Sequence, residues 1–209
     1  YFQNIFCDYL HKMGISVFAE TRRHGFYPAG GGEVIVKIAP GILKNIELLE
    51  RGDLKKIDVF SVASNHLREA KVAERMVQGF QKYFPGADYK YKYVDANSPG
   101  CFIRSYAHFE HEKLGADALG KRGVPAERIG VEAGRELKAA IDSGSPVDVW
   151  LVDQLIPYLA LATIATRSLS RIRIPDLSKH AETNIWVAKL FLPIDFEIKE
   201  NVLTCFCKE

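Results

Sequence analysis

Between Ile57 and Ile141 the chain carries a full set of punctuated apolar segments that neither flank continues. Asp58–Ala63, DVFSVA, alternates as a strand does. Asn65 is placed to cap a helix running to about Phe84, with Leu67, Val72, Met76, Val77 and Phe80 on one side and Pro85-Gly86 as its stop. Asp88–Val94, DYKYKYV, alternates strictly, and Cys101–Phe109 is a further strand after the turn Asn97-Ser98-Pro99-Gly100. Ala126–Ile141 is a second helix, introduced by Pro125 and closed by Ser143-Gly144-Ser145-Pro146. The order β-α-β-β-α makes a self-sufficient α+β module. A chain interrupted by such a module has to bring its flanks back to one body. The expected division is a body of residues 1–54 and 145–209 around an inserted small domain, 55–144.

The flanks read as follows. Phe2, Ile5, Phe6, Tyr9, Leu10 and Met13 recur at helical spacing up to Gly14. Tyr1-Phe2-Gln3 therefore reads either as native helix or as the remnant of a cleavable tag. Ile15–Thr21 and Glu33–Ile38 are strands joined by a glycine loop, and Leu43–Glu50 is apolar and charged in turn before the turn signal Arg51-Gly52-Asp53. From Val147 an apolar helix runs through WLVDQLIPYLALATIA, followed by a short strand at Arg171–Ile174. A helix at Thr183–Leu192 and terminal strands within Phe196–Cys207 complete the chain.

The formal charge is only +2, 28 basic against 26 acidic side chains, so any polyanion site is local rather than a general field. No apolar run is read as a membrane span and no removable signal is seen. The four cysteines, Cys7, Cys101, Cys205 and Cys207, form no CxxC pair and have no His at metal spacing. Cys205 and Cys207 share a strand face and are expected to pack. A reducing, cytoplasmic setting fits this usage.

Three stretches carry chemistry. His24–Val34, HGFYPAGGGEV, sets Gly30, Gly31 and Gly32 just before a strand. Bare glycine backbone either admits a ligand or forms a tight turn or bulge. It is neither a Walker loop nor a dinucleotide fingerprint. In Val147–Leu155, VDVWLVDQL, Trp150 and Asp153 stand three apart on one helix face, with Gln154 beside them. A carboxylate among apolar neighbours is costly unless it is paired, for instance with an arginine, or used. In Ser178–Leu192, SKHAETNIWVAKLFL, His180 precedes a helix whose first turn holds Thr183 and Asn184. Such a start favours phosphate and keeps an imidazole lone pair available for attack, although a surface loop histidine is the simpler reading. His11, His66, His108 and His111 sit among charges and suggest no site. The Tyr89–Tyr93 tyrosines share one face, as base-stacking groups or as an exposed sheet face with alternating lysines.

HGFYPAGGGEV, then a module, then WLVDQLIPYLAL, then KHAETNIWVAKLFLP: in this order the chain resembles the RNA 3'-terminal phosphate cyclase family over nearly its whole length. The resemblance implies a body of repeated β-α-β-α-β-β units, incomplete at the N-terminus, with the small domain inserted into the last unit. It implies ATP and a divalent ion (Mg or Mn) as cofactors and an RNA 3'-phosphate end as substrate, made into a 2',3'-cyclic phosphate through histidyl-AMP. It puts the nucleophile on His180 and an aspartate on Asp153. The adenine-stacking aromatic falls on Trp150, where a tyrosine is usual in bacterial members; the indole offers a larger face. Gln154, Asn184, Pro28 and Gly30–Gly32 complete the expected ATP site. A glutamate metal ligand, arginines and glutamines of the family belong to an N-terminal part beyond this chain, so the isolated chain is expected to adenylate poorly or not at all. The rival within the resemblance is a ribosome-assembly scaffold branch lacking the histidine, against which His180 counts. A truncated RNA-binding fragment is more distant. The oligomeric state is open, a homodimer included, and no membrane partner is expected.

Overall fold

The computed structural model describes residues 1–208. A π-helical turn at Phe2–Phe6 continues as α1 (Cys7–Lys12) and buries Ile5, Tyr9, Leu10 and Met13. Tyr1 is packed as well, its ring over Gly115 and its hydroxyl donating to Asp148. β1 (Ser16–Arg23) and β2 (Glu33–Ala39) pair antiparallel around the glycine loop, and β3 (Glu47–Leu48) ends the first body segment.

The module follows: β4 (Leu54–Ser64), α2 (Val72–Phe80), β5 (Asp88–Val94), β6 (Cys101–Phe109), β7 (Lys113–Leu119) and α3 (Ala126–Asp142). Its sheet order is β5-β4-β6-β7, with β4 and β5 parallel. Three expectations are corrected here. β7, KLGADAL, has no β-branched residue to announce a strand, yet it pairs with β6 along its whole length, so the module is β-α-β-β-β-α. The long helix from Asn65 is a single turn at Asn65–Leu67 followed by the shorter α2, with Lys71 left-handed between them. Asn65 caps nothing. Its side chain instead bonds Asp95 and Arg68. The β5 tyrosines do not form an open face either: Tyr89 packs on Phe80 and Tyr93 bonds the start of α2, while Tyr91 stays exposed.

The chain returns through α4 (Val149–Thr166), β8 (Ser170–Arg173), α5 (Lys179–Phe191), β9 (Ile194–Lys199) and β10 (Val202–Cys207). With β3 these strands form the sheet β3-β8-β10-β9, β3 running parallel to β8. Leaving the module aside, β3-α4-β8-α5-β9-β10 is one complete β-α-β-α-β-β unit. The preceding α1-β1-β2 repeats its tail. The fold is α+β. α4 is 18 residues long with mean hydropathy 1.4, enough by length and composition for a membrane span, contrary to the sequence reading. Here its Leu151, Leu155, Ile156 and Leu159 are fully buried, in one core with Ile172 and Leu203. A second core joins Val59, Ile103, Met76, Phe80, Ile129 and Leu137 inside the module.

Candidate active site

α4 begins at a sharp register point. Asp148 is its N-cap, buried, with Leu151 N at 3.0 Å, Gly115 N at 3.1 Å and the Tyr1 hydroxyl at 2.5 Å all donating to its carboxylate. Burial pushes this carboxyl up, and the three donors oppose that only in part. Fixing the cap fixes where the next turn points. Trp150 stands 47 % exposed, and its indole N–H donates to Glu136 Oε1 of α3 at 2.5 Å. Beside it lies a cavity of about 170 Å³ lined by Gly115, Glu136, Ala140, Asp148, Val149 and Pro175. Burial also pushes Glu136 up.

One turn on, the Asp153 side chain is 14 % exposed, and its Oδ2 lies 3.8 Å from Nδ1 of His180. Its partner is a histidine rather than an arginine. Burial pushes Asp153 up, with the neighbouring imidazole acting in the opposite sense. Asn184 Nδ2 donates to the Asp153 carbonyl at 2.9 Å, stitching α5 to α4. Gln154 is half-buried alongside.

α5 starts earlier than its apolar pattern suggests. Ser178 is the N-cap, its Oγ accepting from Ala181 N at 3.0 Å, so His180 lies inside the first turn rather than before the helix. The cause is local: Ser-Lys-His-Ala-Glu is a good cap and first turn, with Ala181 alone facing the core. Thr183 Oγ1 is turned back to the Lys179 carbonyl at 2.8 Å, one turn further in than expected. The His180 side chain is 82 % exposed. With Nδ1 toward Asp153, Nε2 is the nitrogen presented outward.

Asp153, His180 and Asn184 thus come together, with Trp150 one turn away. The glycine run goes elsewhere. Among the described residues no hydrogen bond or ion pair joins 24–32 to His180, Asp153 or Trp150. Instead Ala29 N donates to Ser98 Oγ at 3.0 Å and Arg23 to Asn97 Oδ1 at 2.6 Å. Gly31, at φ +78°, has no room for a Cβ beside Asn97, whereas Gly30 opens to solvent. Pro28, in a cis peptide bond with Tyr27, is exposed at the loop tip. The glycines seat the loop on the module's turn.

Asp148 and Glu136 were not singled out by sequence. Asp148 lies inside the same VDVWLVDQL motif and follows Pro146 as a cap would; Glu136 gave no signal, since its partner comes from another element. Among the described residues no group of three His, Cys, Asp or Glu side chains is gathered for a metal, and Asp153 with His180 is not a metal site by itself.

A profile of the family described as RNA 3'-terminal phosphate cyclase matches residues 1–198. The chain is 37 % identical to a protein named RNA 3'-terminal phosphate cyclase from Nitrosospira multiformis, over 96 % of this chain and 57 % of that one. Its namesake in Halobacterium salinarum is 36 % identical over 95 % of this chain and 55 % of its own length. The one in Methanothermobacter thermautotrophicus is 40 % identical over 86 % and 54 %. The chain therefore spans little more than half the length of these relatives. With the profile covering residues 1–198 and relatives at 36–40 % identity over most of this chain, the chain belongs to the RNA 3'-terminal phosphate cyclase family.

Proposed function

We propose that the protein containing this chain converts an RNA 3'-terminal phosphate to a 2',3'-cyclic phosphate at the expense of ATP, through a histidyl-AMP intermediate. The observation that carries this reading is the outward-facing imidazole of His180, backed at Nδ1 by the Asp153 carboxylate. A carboxylate on that side favours the Nδ1–H tautomer, which leaves the lone pair on Nε2. His180 Nε2 attacks the α-phosphorus of ATP; the N–P bond forms as the P–O bond to pyrophosphate breaks, and the Nδ1 proton meets Asp153. An oxygen of the RNA 3'-phosphate then displaces the imidazole from the AMP phosphorus. The vicinal 2'-OH finally attacks the RNA phosphorus, loses its proton and expels AMP. The exposed half of Trp150 is the flat surface for adenine, with Glu136 holding the indole edge. Pyrophosphate leaves readily only where cations meet its charge. Among the described residues no group of three His, Cys, Asp or Glu side chains is gathered for a metal, and a bound divalent ion would supply that positive charge.

The test is made on the full-length protein, with the 209-residue chain beside it. Each is incubated with α-labelled ATP and Mg or Mn, and acid-labile, base-stable protein label is counted. Label on the full-length protein that disappears in His180→Ala is expected. Label that survives in His180→Ala removes this nucleophile, and no label on the unmodified protein would favour a scaffold role.

A further inference from the structure

On β5 the side opposite Tyr89 and Tyr93 carries the exposed Lys90 and Lys92, on the sheet face that meets the glycine hairpin and, through Phe60 and Tyr106, the body core. Register sets Lys90 beside Phe60 and Lys92 beside Val62, and these in turn beside Arg104 and Phe102 of β6. Lys90 Nζ stands 5.8 Å from the Phe60 ring centre, and Arg104 Cζ stands 5.4 Å from Phe60 and 6.0 Å from Phe102. The glycine hairpin is the second wall: the His24 ring lies 5.6 Å from Phe102, with Phe26 beyond it. Among the described residues Lys90, Lys92 and Arg104 form no ion pair, and Arg104 Nε is buried with no hydrogen-bond partner. The acids nearest to them in register are Asp117 of β7, exposed opposite Arg104, and Asp88, two residues before Lys90 on β5; Asp58 on the same face is already held by Lys56 and His108. A near-neutral chain has thus gathered three cations, none in an ion pair, against aromatic rings in one seam.

We propose that this seam between the glycine hairpin and the β5 edge of the module sheet binds single-stranded RNA. Lys90, Lys92 and Arg104 meet backbone phosphates, and the rings of Phe102 and His24 offer stacking surface at the rim. Residues two apart on a strand place their side chains about 6–7 Å apart, a spacing on the scale of successive phosphates in an extended strand. The choice of RNA as occupant rests on the cyclase reading. The open cationic seam does not.

The test titrates a 5'-fluorescein, 12-nucleotide single-stranded oligouridylate, with either a 3'-phosphate or a 3'-hydroxyl, by anisotropy at several KCl concentrations without ATP. Lys90→Glu with Lys92→Glu, both exposed and in no ion pair, is expected to weaken binding at least tenfold for both ends. It should also reduce the slope of log K against log salt by about 1.4, two phosphate contacts at about 0.7 each. Arg104→Met should add a further several-fold loss. Lys138→Glu, on α3 and across the sheet, should stay within twofold. The proposal is overturned by wild-type binding in the double variant, by an equal loss in Lys138→Glu, or by no binding in the unmodified protein. Because no ATP is present, failure of His180 labelling and failure of this groove are separate results.

Discussion

At the scale of single residues, two carboxylates of one motif have been given opposite tasks. Asp148 is buried but answered by a hydroxyl and two backbone N–H groups; Asp153, less deeply covered, faces a single imidazole. Asp148→Ala should cost about 2 kcal/mol or more, from a lost cap and orphaned donors, read as a shift in urea midpoint. For Asp153 the folded state holds the proton more tightly than the unfolded one, because burial raises its pKa. Stability tied to this group is therefore greatest below the ordinary aspartate range and declines as pH rises through the raised value. Asp153→Asn should flatten that decline, melting above the wild type at neutral pH, while histidine labelling falls by at least tenfold. A melting temperature that drops equally at all pH values would contradict the assignment. Trp150 and Asp153 were legible because a ring and an acid in an apolar helix stand out. Glu136 was not, since its significance exists only once α3 is laid against α4.

At the scale of elements, strands written in β-branched and aromatic alternation were legible, and those written in glycine and alanine were not. β7 escaped for that reason, and α5 was read short because its first turn is polar and only Ala181 faces inward. That first turn has a consequence for the chemistry. Ser178→Ala should destabilise by about 1 kcal/mol, and it should slow His180 labelling more than ATP binding, because the cap sets the pitch of the turn that carries the imidazole. The module depends on another feature invisible in the pattern. α2 and α3 meet backbone to backbone, such that a Cβ at Gly79 would lie 2.0 Å from the Glu127 carbonyl oxygen and one at Gly130 1.9 Å from that of Met76. Alanine gains about 1 kcal/mol in helix propensity at either position. Gly130→Ala should nonetheless lower module stability by about 2 kcal/mol or more, since the helices must part to admit the methyl. Chemical denaturation followed by tryptophan fluorescence would read it, Trp150 lying against α3.

At the scale of the whole molecule, the sequence reading of a module set into a repeating body rested on punctuation: Arg51-Gly52-Asp53 on entry, Ser143 to Pro146 on exit. The physical closure between them was out of reach of any local pattern. The Arg51 guanidinium donates to the carbonyls of Ile141 at 2.6 Å and Ser145 at 3.1 Å, and lies 4.3 Å from the Phe109 ring centre. It answers the C-terminal carbonyls of α3 with charge and ties the first crossing of the neck to the second. Arg51→Met, which keeps the stem and removes the donors, should lower stability by about 2 kcal/mol. Its hydrogen exchange should quicken at the end of α3 and around Ser145 before it changes in β10. Uniform acceleration would mean that the neck does not behave as a separate joint. One guanidinium thus shuts the doorway by which the polypeptide leaves the body and re-enters it. The inserted domain is latched at its crossing as well as seated on its host through Gly115, Glu136 and Ser98, so entry, exit and docking face form one continuous joint.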